Sequence, residues 1–257
     1  MYSRRIKTRR ELSNISIWGT TYIHPRSPII VALWSTTFPG YGHILLHKYI
    51  RGFALIIWEI FINQASNLNT AMVYSFIGDI QAAKDVLVVN YVYMYIPLYL
   101  FAIWDSYRTT VELNNIYYLV EKEKPIPKVL TVKPLEINYL DKRNPLVAIF
   151  WSMTIPSAGQ LYLHQILSAF FTLVVTVTFI HFSHFIEGLH YLILGEFQHS
   201  TEVLHIQWLL YIPSLYFFNI YESYMNVVEN NKLFEAEQKL YLKQNYQVKT
   251  FKIKAKR

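Results

Sequence analysis

The chain contains no cysteine, which excludes disulfides, thiolate metal ligands and thiol redox chemistry. Charge is also sparse: Asp, Glu, Lys and Arg make up 16% of 257 residues, against 53% hydrophobic. Soluble domains carry roughly 25% charged residues, so the balance points away from a water-soluble globule. Glycine-rich phosphate loops, HExxH and GxSxG motifs and paired acidic loop motifs are missing too. Without them the sequence offers no signal of nucleotide, zinc-protease or serine-hydrolase chemistry, and the chain reads as a non-enzyme that needs no cofactor. Residues 1–27 are basic but lack the apolar core and cleavage site of a secretory signal, and are read as a cytoplasmic arm.

What the sequence has in quantity is aromatic: 21 Tyr, 16 Phe and 6 Trp, placed beside the apolar runs. Amphipathic rings in that position are favoured at lipid headgroups. The formal charge of +7 sits at the flanks of those runs and not on one basic domain. The lipid bilayer is therefore the expected partner, with a protein partner or a second copy beyond it and no nucleic acid.

One constant shift superposes Pro28 on Pro145, Trp34 on Trp151, Pro39 on Pro156, Gly42 on Gly159 and His47 on His164. The same shift carries Asp105-Ser106-Tyr107 onto Glu222-Ser223-Tyr224 and Asn114 onto Asn231, while Tyr95-Ile96-Pro97 meets Tyr211-Ile212-Pro213 after a slip of a single residue. Identities in one register imply an internal duplication. Five segments follow: arm 1–27, membrane repeat 28–113, linker 114–144, second membrane repeat 145–231 and basic tail 232–257.

Each repeat has three apolar stretches: Pro28–Phe38, Gly52–Asn63 and Val86–Trp104, then Pro145–Ile155, Ile166–Ile186 and His205–Tyr221. A span needs about 20 helical residues, and the opening stretch of each repeat is too short. Of the 24 Lys and Arg, six lie in 1–27, six in 114–143 and eight in 230–257, which by the positive-inside rule puts arm, linker and tail in the cytoplasm. The expected fold is an all-α membrane protein of the cell membrane. It has two tandem parallel repeats, each a short Pro/Gly-broken membrane-dipping helix followed by two transmembrane helices.

In "FPGYGH" and "IPSAGQ", proline removes a backbone donor and glycine permits positive φ, so the helix stops sharply. Trp34, Pro39, Gly40, Gly42 and His47, with Trp151, Pro156, Gly159 and His164, are expected to shape close-packed turns; a ligand or ion contact is the alternative. "PGYGHILLH" and "PSAGQLYLH" resemble the "PGxGQxYxG" and "GxGxHRFYLG" signatures of bacterial TM2-like small membrane domains, and "WDSYRTTVELN" resembles the Asp-containing close of their last helix. The resemblance covers 28–114 and 145–231 and implies two tandem copies of that membrane fold, not an activity. Ile44 to His47 stand where the family has Phe-Tyr-Leu-Gly, and Pro156 is not followed by glycine.

Glu59 and Asn90 are polar within apolar stretches, where a charge is costly and a functional role is the default reading. Asp105 and Glu222 recur at the end of the last span and are expected to fix its depth, with Arg108 placed to pair with Asp105. His181, His184, Glu187 and His190 recur every three residues, a spacing that admits an outer-face zinc or pH-sensing site. Their counterparts Gln64, Asn67, Thr70 and Val73 carry no such ligands. Three functions are open at this point: a scaffold or accessory subunit, a small transporter or channel with a path between the repeats, and an extracytoplasmic zinc or pH sensor.

Overall fold

The computed structural model describes residues 11–123 and 129–246; the remainder of the basic arm, linker and tail lies outside the described residues. The chain is mostly helical, with two small hairpins at its connections. An antiparallel hairpin, β1 (Ser13–Ser16) and β2 (Gly19–Tyr22), precedes the first half. That half contains α1 (Pro28–Thr37), α2 (Tyr41–Leu45), α3 (Tyr49–Ser66), α4 (Leu68–Phe76), α5 (Ile80–Val86) and α6 (Val89–Glu123). A second hairpin, β3 (Leu130–Val132) and β4 (Ile137–Tyr139), leads into the second half. There follow α7 (Pro145–Thr154), α8 (Ala158–Tyr162), α9 (Ile166–Phe182), α10 (Phe185–Ile193), α11 (Phe197–Val203), α12 (Ile206–Leu209) and α13 (Tyr211–Asn245).

Local chemistry sets these bounds. α1 and α7 each open on proline, whose missing N–H costs nothing in the first helical turn. Both close just before a proline, with Phe38 N–H bonded to Trp34 O and Ile155 N–H to Trp151 O. The one-residue slip in the sequence falls where the halves differ: α6 runs through Pro97, whereas α12 gives way to α13 at Leu210, shortly before Pro213.

The last helices extend beyond the expected segment borders. α6 passes residue 113 to reach Glu123, and α13 passes residue 231 to reach Asn245. Their polar ends leave the hydrophobic pattern but keep a helical backbone. The expected Ile166–Ile186 stretch is also broken, at His184, which is left-handed with φ 54, like Asn67 at the equivalent junction of α3 and α4.

Among the described residues no single helix is long and apolar enough to cross a membrane. Three bent pairs meet that length and composition together: α5 with α6 (89°), α9 with α10 (58°), and α11 with the α12–α13 stretch (85°). α3 is 18 residues long but includes Arg51, Glu59, Asn63 and Gln64.

The main core joins the halves. Phe38, Tyr41 and Ile44 from the α1–α2 turn pack on Phe179 of α9 and on Leu215 and Phe218 of α13. Tyr41 stacks on Phe218 with ring centroids 3.9 Å apart, and Phe53 on Phe171 at 3.8 Å. A smaller cluster at one end joins Ile15 and Tyr22 of the first hairpin to Leu140 and Leu233. His24, just after that hairpin, is pushed down to about 2 by burial and by the neighbouring Arg26 guanidinium, so its imidazole is neutral.

Candidate functional site

Each Pro/Gly turn presses against the first and last helices of its own half. A Cβ on Gly42 would collide with Ser35 Oγ and Val31 O, and one on Gly159 with Ser152 Oγ, Ser223 Oγ and Ala148 O. Ser152 Oγ donates to Ser223 Oγ at 2.8 Å across that contact. The backbones of the two turns differ at the residue after the proline: Gly40 takes φ 107, whereas Ser157 keeps φ −75. His47 and His164 both adopt the left-handed region, with φ 57 and 58, at the position where the signature has its last glycine. Trp34 packs against Phe218 and Tyr221, while its counterpart Trp151 is largely exposed.

The turns bring a polar side chain to each recurring acid. In the first half, buried His43 places Nε2 3.0 Å from Asp105 Oδ2. Arg51 Nη1 donates to the same oxygen at 2.6 Å, and Arg108 Nη2 to Oδ1 at 3.2 Å. Arg108 also bridges to Glu112 and lies over the Trp104 ring. The expected Arg108–Asp105 pair is thus present, in a larger set that fastens the turn to α6.

In the second half the equivalent positions hold Gln160, Ser168 and Met225, so both guanidinium groups are lost while the acid stays. Gln160 Nε2 donates to Glu222 Oε2 at 2.5 Å and to Asn219 Oδ1 at 3.0 Å. Asn226 Nδ2 donates to Gln165 Oε1 at 3.2 Å, and Arg26 Nη2 to Asn226 Oδ1 at 3.5 Å. Gln160 Oε1, Glu222 Oε1 and Ser168 Oγ are buried without a hydrogen-bond partner. Amides here replace the cations of the first half.

Glu59 is buried and belongs to an inter-half network. Asn63 Nδ2 and Tyr95 OH donate to its Oε1 at 3.2 and 3.3 Å. Gln207 of α12 then ties the halves, donating Nε2 to Asn63 Oδ1 at 2.8 Å and accepting from Thr70 N at 2.8 Å. Asn90, at the start of α6, is exposed, whereas Glu59 is buried. A cavity of only about 10 Å³ lies between the halves, lined by Tyr41, Ile56, Phe171, Val175, Phe218 and Asn219 among others.

The histidine-rich segment does not converge. His184 Nδ1 lies 3.1 Å from Glu187 Oε2, and His199 Nδ1 lies 3.2 Å from Glu196 Oε2. Among the described residues no three His, Asp or Glu side chains are grouped to hold a metal ion. His181 and His190 stand apart because the turn at His184 bends α10 away from α9.

Sequence reasoning missed His43, Arg51, Gln160, Asn219 and Asn226. A signal for two of them existed: the residue after Gly42 and Gly159 is polar in both halves, and the "PGxGQxYxG" signature carries Gln there. No family model matches the chain, and comparison with curated proteins and with solved structures yields no match.

Proposed function

We propose that the chain is a non-enzymatic, multi-pass protein of the cell membrane, built from two tandem parallel TM2-like units and acting as a scaffold or accessory subunit. The distribution of side chains carries this reading. Large apolar residues such as Phe61, Phe170, Phe217 and Ile193 face outward, while Asp105, Glu222, Gln160 and Asn63 are buried. A water-soluble domain avoids broad exposed apolar surface, whereas in lipid such residues face the solvent and polar groups pair inside. Arg26 and Asn114 exchange hydrogen bonds of 3.0 and 2.8 Å, and Arg143 and Asn231 exchange equivalents of 2.8 and 2.7 Å. These clamps gather arm, linker and the distal part of α13 at one end, as an even number of crossings per unit requires.

Packed turns and the stacked rings of Tyr41, Phe218, Phe53 and Phe171 between the halves favour a rigid assembly over a solute path. Single-cysteine labelling in intact cells tests the topology, since the native chain supplies no background thiol. Cysteines replacing Gln81 and Gln198 should label from outside, and those replacing Leu135 and Lys243 only after permeabilisation. Outside labelling at 135 would mean an odd number of crossings and inverted halves, and would displace this reading in favour of a transporter.

A further inference from the structure

The contact between the halves is head-to-tail. Trp34, Phe38 and Ile44 of the first half meet Phe218 and Tyr221 of the second. Were the contact two-fold symmetric, Trp151, Ile155 and Leu161 would meet Phe101 and Trp104 in the same way. They do not: Phe38 and Ile44 are 3% and 2% exposed, but Ile155 and Leu161 are 49% and 55%. On the other side Phe218 is 2% exposed and its counterpart Phe101 44%, with Trp104 at 55%. Each chain therefore uses one turn face and one last-helix face internally and leaves the complementary pair bare.

The polar seam follows the same rule. Gln207 is buried against Asn63 and Thr70, whereas its counterpart Asn90 is exposed, and Glu187, counterpart of Thr70, is half exposed. An amide donor and a carboxylate acceptor thus stand on the two free faces at matching positions.

We infer that further copies of this chain dock on these faces, the Trp151–Leu161 turn of one copy seating on Phe101 and Trp104 of the next and Asn90 meeting Glu187. The inference rests on the membrane-embedded tandem reading above. In a bilayer the apolar belts of neighbours stay level, so successive copies are related by rotation about the membrane normal, and a head-to-tail contact closes into a ring rather than a helical filament.

The test co-expresses two single-cysteine chains, Trp104→Cys and Trp151→Cys, and treats the membranes with a short bismaleimide. A cross-linked dimer is expected from the mixture and from neither chain alone. A single chain carrying Trp34→Cys and Tyr221→Cys, the pair in contact within the molecule at a 5.1 Å ring separation, serves as the internal control. An internal link in that control with no dimer in the mixture would overturn the proposal, as would a dimer from Trp104→Cys alone. Asn90→Cys mixed with Glu187→Cys repeats the test at the other end and should behave alike. Release of the chain by alkaline carbonate would sink the membrane reading itself, and the assembly with it.

Discussion

Asp105 and Glu222 occupy equivalent places on the last helices, yet their neighbours give them opposite energetics. Asp105 receives two guanidinium groups and an imidazole, so its negative charge holds the site together. Asp105→Asn removes the charge and one of the two acceptor oxygens shared by Arg51 and Arg108, and losing a charged hydrogen bond of this kind costs on the order of 2–3 kcal/mol. Glu222 accepts from the Gln160 amide and has no guanidinium hydrogen bond, and its Oε1 and that of Gln160 lack donors. Glu222→Gln removes a buried acid and supplies an N–H₂ able to satisfy Gln160 Oε1, giving a reciprocal amide pair. Thermal melts of the detergent-solubilised protein should therefore shift downward for Asp105→Asn and upward or not at all for Glu222→Gln. Equal losses in both variants would show that the second acid is held by charge as the first is. The recurrence of the acids was legible in the sequence because it needs only alignment of the halves. Their different surroundings were not, because Arg51 lies 54 positions from Asp105 and reaches it only through the folded turn.

The Pro/Gly turn is the element that the sequence states most directly, since its stop and reversal follow from backbone chemistry alone. What it packs against is set by small side chains with no hydrophobic signal: Ser35 and Ser106 in one half, Ser152 and Ser223 in the other. The two hairpins were hidden for another reason. Their strands are only three or four residues long, too short for an alternating pattern to stand out, and they are held through tertiary bonds such as Thr131 Oγ1 to Ile15 O at 2.7 Å and Asn138 Nδ2 to Ser16 O at 2.9 Å. Gly159→Val should force α8 off α7 and α13, since the added atoms meet backbone and two serine hydroxyls at once. Overpacking of a tight contact costs about 1–3 kcal/mol, so the expected result is a lower melting temperature and less monodisperse protein. Unchanged elution and melting would remove the packing role assigned to the turn.

At the scale of the molecule, the two halves share a sequence pattern, but packing treats them unequally. The repeating pattern implies symmetry, and only the structure reveals that one turn is enclosed and the other bare. Phe218→Ala and Phe101→Ala make the same chemical change at equivalent positions on α13 and α6. Phe218 lies at the centre of the seam, stacked on Tyr41 and edge-on to Trp34, so its loss opens a cavity that the surrounding rings cannot fill. Such truncations cost about 3–5 kcal/mol, and at roughly 2–4 °C per kcal/mol for a chain of this size the melting temperature should fall by about 6–20 °C. Phe101 faces outward, and truncation of an exposed residue changes stability by about 0.5 kcal/mol at most. In a detergent dilute enough to separate copies, Phe101→Ala should melt with the parent protein, while the same variant in membranes should lose the cross-link between copies. A large melting loss for Phe101→Ala in separated chains would place that face inside the unit, and the two halves would then share one symmetric contact.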